Sequence, residues 1–259
     1  MADIGEFFSS APPVSRALAG ATLIISFSSH VLHLVNPMNF VYFPDYVFNT
    51  QSMQFWRLGT SFLLSRPQLG VLLDPFFLYR YASDCERVLL ARKGDFTIFL
   101  LFVGSIIIAL NTFLHSAYSF ISPLMLALAY YWSAFEDPAS RVNFFIATFP
   151  VKFLPWVMLL MSLVQGGDVI NDLTGLVAAH AYLFLTDIWP RHGGGRNWLQ
   201  WPADVVQGWW EVAERAVPAP PRVVPAAGPV RVGGIQGSTA VPGRAEGWRH
   251  RGQGQRLGS

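Results

Sequence analysis

Charge is scarce in this chain and lysine nearly absent. Only 13% of its 259 residues are charged, against roughly 25% in an ordinary soluble domain, while 52% are hydrophobic. A chain so short of charge cannot clothe a water-facing surface, so lipid is the expected solvent for most of it. Of its eighteen Lys and Arg residues only Lys93 and Lys152 are lysines. A single cysteine, Cys85, excludes an internal disulfide and a multi-cysteine metal site. No Asn-x-Ser/Thr sequon occurs, so glycosylation gives no topology marker. No small-residue cleavage site follows the first apolar run, and Asp3 and Glu6 precede the first arginine. That run is therefore expected to be kept as a span, not removed as a signal peptide. No cofactor, metal or nucleic-acid partner is expected.

What the chain does have is apolar runs. Crossing a hydrocarbon core of about 30 Å takes roughly 20 residues of helix. The runs predict spans at Val14–Val35, about 68–83, Phe96–Phe113, Ser119–Phe135, Val151–Val164 and Val169–Ile188. The second and fifth are short for a bilayer. Leu58 to Leu64 is apolar but stops at Arg66-Pro67, and the stretch Asn36–Met53 is too apolar for a solvated loop, so it is expected to lie at the interface. Basic residues then fix the orientation. Arg16, Arg87, Arg92, Lys93, Arg141, Lys152, Arg191 and Arg196 fall on one side of a six-span chain. The other side keeps only Arg57, with Arg66 assignable to neither. Both termini are therefore expected in the cytosol.

The expected organisation is an all-α polytopic membrane domain over residues 1–190, a juxtamembrane segment over 191–217, and a tail over 218–259. Trp198, Trp201, Trp209 and Trp210 suit the middle segment to the headgroup level. The tail is rich in Pro, Gly and Arg with Glu246 as its one acidic residue, cannot bury a core, and is expected to be disordered.

Several constellations carry chemistry. Ser122 opens the fourth span and His180 lies in the sixth, the residue types of an intramembrane serine protease. Yet the serine stands in Phe120-Ile121-Ser122-Pro123 with no glycine to let a backbone approach, so an inactive pair is expected. Asp74 and Arg66 are costly inside a membrane unless paired or wet; Asp74 reads equally as a functional group or as a side chain reaching for headgroups. Gly175 and Ala179 give small-xxx-small spacing that permits close helix packing. Trp56-Arg57 sets an amphipathic ring and a fixed cation at the mouth of an apolar run, where both suit the interface. The terminal Gly252-Gln253-Gly254-Gln255-Arg256-Leu257 reads as a docking segment or as a solvated basic end.

Five stretches, taken together, resemble the derlin family, the rhomboid-like pseudoproteases of endoplasmic-reticulum-associated degradation, in a fungal-type member. They are Gln54-Phe55-Trp56-Arg57, Phe76-Phe77-Leu78-Tyr79-Arg80-Tyr81, Leu154-Pro155-Trp156-Val157, Gly166-Gly167-Asp168-Val169-Ile170-Asn171-Asp172-Leu173, and His180-Ala181-Tyr182-Leu183-Phe184-Leu185. The resemblance covers roughly residues 10–200. It implies six helices in a rhomboid-like fold in the ER membrane, no peptidase activity, and retrotranslocation of misfolded ER proteins to the cytosol. It also implies that Trp56 and Arg57 form the family's luminal-loop motif. Gly175 and Ala179 would stand for its sixth-helix Gly-x-x-x-Gly, with the second glycine replaced. Gly252, Gly254, Arg256 and Leu257 resemble a box that recruits a hexameric AAA+ segregase, though His250 and Arg251 stand where an aromatic is expected. Implied partners are misfolded substrates, an ER-membrane ubiquitin ligase, the lipid bilayer and a homo- or hetero-oligomer. The expected mechanism is a half-channel in bilayer thinned by short spans. Alternatives are an active rhomboid protease and an adaptor tethering the segregase to the membrane.

Overall fold

The structure, a computed structural model, describes residues 12–47, 53–89, 92–114, 117–137, 139–144, 147–193, 195 and 197–216. The described chain is mostly helical. Helix α1 (Pro13–His30) opens on Pro13, where a missing N–H costs nothing. It stops at His30, short of the expected Val35, because the chain turns away there: His33 takes a φ of 51°. Loop helices α2 (Pro44–Val47) and α3 (Trp56–Thr60) follow. Helix α4 (Gly70–Asp84) runs on into a wider π turn, Cys85–Leu89. Then come α5 (Lys93–Leu114) and α6 (Ile121–Phe135).

Strands β1 (Arg141–Phe144) and β2 (Ala147–Pro150) pair antiparallel, with Arg141 opposite Pro150. The sequence had suggested only a basic loop here. Val142 is buried between exposed Arg141 and Asn143, the period of two that a strand requires, in a run too short to announce itself. Helix α7 (Leu154–Val164) follows a 3-10 turn. Helix α8 (Val169–Leu183) continues through a π turn into α9 (Trp189–His192), and α10 (Gln200–Ala216) closes the described chain.

Helix α6 is the hub. It packs most extensively on α8 and also meets α4, α5 and α7, while α1 leans on α4 and α10 on α5. Its burial runs around the whole helix, since Pro123, Leu124, Met125, Leu126, Ala127, Leu128 and Ala129 are buried in unbroken succession. A helix apolar on every side belongs at the centre of a bundle. Among the described residues two segments, Lys93–Leu114 and Val169–His192, are long and apolar enough to cross a membrane by length and composition. Helices α4, α6 and α7 are shorter, at 15, 15 and 11 residues. At about 1.5 Å per residue, α7 rises only about 16 Å.

Candidate functional site

One end of the bundle gathers the ends of α1, α5 and α7 with the starts of α4, α6 and α8. His30 reaches the Ser65 carbonyl at 3.0 Å, the Tyr42 hydroxyl meets Thr112 Oγ1 at 2.6 Å, and Asn171 donates to the Ser119 carbonyl at 3.1 Å. The loop between α1 and α4 covers this end, and Arg57 pins it. Arg57 is 7% exposed. Its Nη1 donates to the carbonyls of Met38 and Val41 at 2.6 and 2.7 Å, and its Nε donates to Gln54 Oε1 at 2.5 Å. The guanidinium also sits 5.3 Å from the centre of the Tyr46 ring. Trp56 does the opposite: it is 57% exposed and turns outward. Adjacent residues on one helical turn point about 100° apart, so the pair divides its work. Arg57 holds the loop's backbone, and Trp56 is offered to the surroundings.

Below the loop lies a small cavity of about 40 Å³, mainly apolar but with polar groups in its wall, room for roughly two or three waters. Its polar lining is Arg66, Asp74, Ser122, Ser162, Gln165 and Asp172, set among Leu73, Met125 and Met158. Arg66 spans it. Nη2 donates to Ser122 Oγ at 2.9 Å and Nη1 to Ser162 Oγ at 3.3 Å, while its backbone N–H donates to Asp74 Oδ2 at 3.2 Å. One fork thus ties the start of α6 to the end of α7, an arrangement that a point charge cannot reproduce. Gly167 makes room: a Cβ there would strike Ser162 Oγ and the Arg66 guanidinium. Asp74 and Asp172 are buried, and Asp172 Oδ2 has no hydrogen-bond partner among the described residues. An unpartnered carboxylate oxygen beside a cavity of this size is a place for water.

The expected site residues separate into groups. Arg66 and Asp74 meet in this cavity. His180 does not join them; its Nδ1 pairs with the Tyr130 hydroxyl at 2.8 Å on an exposed face. Ser122 is engaged by Arg66, so the structure does not bring serine and histidine together as nucleophile and base. Gly175 lies against α6, where a Cβ would fall on the Pro123 carbonyl, and Ala179 is fully buried one turn on. These two small residues let α8 approach α6 closely. Gly252, Gly254, Arg256 and Leu257 lie outside the described residues. Among the described residues no three His, Cys, Asp or Glu side chains gather as metal ligands would.

Sequence reasoning missed Ser162, Gln165 and Asp172 as lining residues. Asp172 carried a usable signal, since a carboxylate at the start of an apolar run is rare and costly. Ser162 carried none, because a lone serine in an apolar helix bonds its own backbone as readily as a distant arginine.

A family model described as the Der1-like family matches residues 11–203. The chain is similar to Derlin-1 of Homo sapiens, 30% identical over 207 residues, covering 78% of this chain and 81% of that protein. It is as similar to Derlin-2.2 of Arabidopsis thaliana, 30% identical over 201 residues, covering 73% and 81%. The Derlin-1 of Arabidopsis thaliana is 28% identical over 217 residues, covering 81% and 79%.

Proposed function

The chain belongs to the Der1-like family, and from that premise we propose that it is a membrane component of ER-associated degradation that helps misfolded proteins pass from the ER to the cytosol. In this reading α1, α4, α5, α6, α7 and α8 are six spans, both termini are cytosolic, and the Arg57-pinned loop is luminal. The protein acts on substrates without cleaving them. The observation that carries the reading is the cavity at Arg66, with Asp74 and Asp172 in its wall, at the start of α4 and the end of the short helix α7.

A helix of 11 residues is far shorter than the hydrocarbon core, so lipid must thin around it, at fractions of a kcal/mol per Å of mismatch. An unpaired backbone group costs several kcal/mol in intact bilayer. Thinned lipid beside a cleft with polar groups in its wall lowers that cost on the luminal side, which makes a half-channel. An ER-membrane ubiquitin ligase, or a second copy or relative of this chain, would complete the wall. A hexameric AAA+ segregase, met through Gly252, Gly254, Arg256 and Leu257, would pull from the cytosol.

The test is the half-life of a misfolded ER reporter in cells that lack the chain. Wild type restores rapid turnover, and Arg66→Met restores little while reaching the same level in the membrane. Turnover that ignores the chain altogether would overturn the proposal. Unperturbed lipid thickness around the protein in nanodiscs would remove the thinning mechanism.

A further inference from the structure

Helix α10 presents an apolar stripe that the bundle does not use. Trp201, Val205, Trp209 and Val212 recur at i, i+4, i+8 and i+11, and all four are exposed. Such a stripe alone does not say what covers it; the way α10 is fastened does. Its polar edge binds the very start of α5: Asp204 pairs with Arg92 at 2.8 Å and Glu214 with Lys93. Gln207 Oε1 then accepts the Gly94 N–H at 2.9 Å, and Trp210 Nε1 donates to Thr97 Oγ1 at 3.1 Å, one turn further along α5. These contacts form a ladder. Moving along α5 from its charged end into its apolar body, one moves around α10 from its acid side toward its tryptophan side.

Two consequences follow. Asp204 to Glu214, about 15 Å of helix at 1.5 Å per residue, is tied only to residues 92–97 of α5, so α10 crosses that end rather than running beside the helix. Its roll is also fixed. At about 100° per residue, Ala203, Gln207, Trp210 and Glu214 make the side that meets α5, and Asp204, Glu211 and Arg215 turn back past its start. The stripe lies on the outer side, joined to Trp210 through Val206 and Trp209. Gly94 is what allows the approach, since a Cβ there would meet the Ala203 carbonyl and the Gln207 backbone.

We infer that the stripe of Trp201, Val205, Trp209 and Val212 lies in the cytosolic headgroup layer of the membrane that α5 spans, with α10 in the plane of the bilayer. The inference rests on the reading of α5 as a span. Tryptophan suits this level because its ring is apolar and its N–H is not, and an amphipathic helix at an interface buries one face and keeps the other in water. The tie to α5 keeps α10 close to the end of its neighbour and so sets the depth of the helix.

Nitroxide scanning in vesicles of phosphatidylcholine and phosphatidylserine tests this. Single cysteines at 201, 205, 209 and 212, and at the polar positions 208 and 211, are labelled in a Cys85→Ala background. Collision with oxygen should exceed collision with a water-soluble nickel chelate at the four stripe positions, and the order should reverse at 208 and 211. Nickel access equal at all six would put the stripe in water and overturn the inference. Protection from both reagents at the four would mean that protein covers it, a second copy or another partner, and would overturn it too. Carbonate washing separates the two levels. A chain released by carbonate would sink the span reading itself, whereas one retained with a hydrated stripe would sink only the placement of α10.

Discussion

The two ends of the bundle hold their cations differently. At the loop end, Arg57 and Arg66 give their guanidinium protons to neutral oxygens: backbone carbonyls, a side-chain amide and two serine hydroxyls. At the opposite end three cations meet carboxylates at the surface, while Arg80 donates to the Asn143 carbonyl at 3.2 Å. Arg92 binds Asp95 and Asp204, Lys93 binds Glu214, and Arg191 binds Asp187. Hydrogen bonds from Arg92 to those two aspartates push its guanidinium above even its ordinary high range. The difference has a physical meaning. Exposed ion pairs fix little and contribute roughly 0–1 kcal/mol each. A guanidinium shared among neutral acceptors fixes several chain segments at once. Around buried Arg57 the acceptors are all neutral, while Arg66 also has the Asp74 and Asp172 carboxylates in the same cavity. The loop end is therefore both rigidly stitched and electrostatically attractive to water, which is what a polar entry needs.

The largest effect should come from breaking the stitch. Arg57→Met removes three hydrogen bonds and leaves the Met38 and Val41 carbonyls without their donor, at a cost of about 3 kcal/mol. Protease cleavage between residues 36 and 56 in detergent-permeabilised microsomes should rise. Trp56→Ala, on an exposed side chain, should cost under about 0.5 kcal/mol and leave the loop protected. Equal damage from both would mean that the pair works as one structural unit and would erase the division of labour.

A second variant tests the contrast from the other end. Glu86 is the exception there, a carboxylate 5% exposed that accepts from the Val14 and Ser15 N–H groups at 3.2 and 2.7 Å and from the Ser15 hydroxyl at 2.6 Å. It satisfies the open N-terminus of α1 and meets the positive end of its dipole. Glu86→Ala should cost about 2 kcal/mol, seen as a lower midpoint of thermal aggregation in detergent. A loss as large as that of Arg57→Met would show that this end also depends on buried charge.

Arg66→Lys should have a smaller effect on stability, about 1 kcal/mol, because an ammonium can reach Ser122 or Ser162 but cannot fork to both. Turnover of the misfolded reporter is the sharper readout. It should slow with Arg66→Lys, and an unchanged rate would mean that charge alone suffices and geometry does not matter.

How much of this was legible in the sequence depends on which atoms do the work. Helix α5 was visible because eighteen residues from Phe96 to Phe113 carry no charge. The Gln54–Arg57 hydrogen bond follows from i, i+3 spacing. The carbonyls that receive Arg57 were invisible, since every residue carries one. Ser162 lies 96 positions from Arg66, and nothing local marks it as a partner. The hairpin at Arg141–Pro150 was too short to show its alternation. Gly175 and Ala179 show their small-xxx-small spacing in the sequence, but the surface that Gly175 meets, Pro123, is visible only in the structure.

The smallest effect should come from the surface pairs, and salt is the cleanest probe. Arg92 and Asp204 are each about half exposed, so their attraction runs through solvent. Raising NaCl from 0.1 to 1 M shortens the Debye length from about 10 to about 3 Å, and Asp204→Asn removes one partner outright. Either change should cost roughly 0.5 kcal/mol or less, and their effects should not add, since both delete the same interaction. The loop held by Arg57 should respond least, because the Met38, Val41 and Gln54 oxygens that take its protons are neutral and give salt no partner charge to screen. Protease protection of the loop should therefore stay flat across that salt range, while a nitroxide on α10 gains mobility. A loop that loosens with salt would mean that it leans on charge pairing, through the Asp74 and Asp172 carboxylates beside Arg66, more than on the neutral acceptors of Arg57, and the contrast between the two ends would fall.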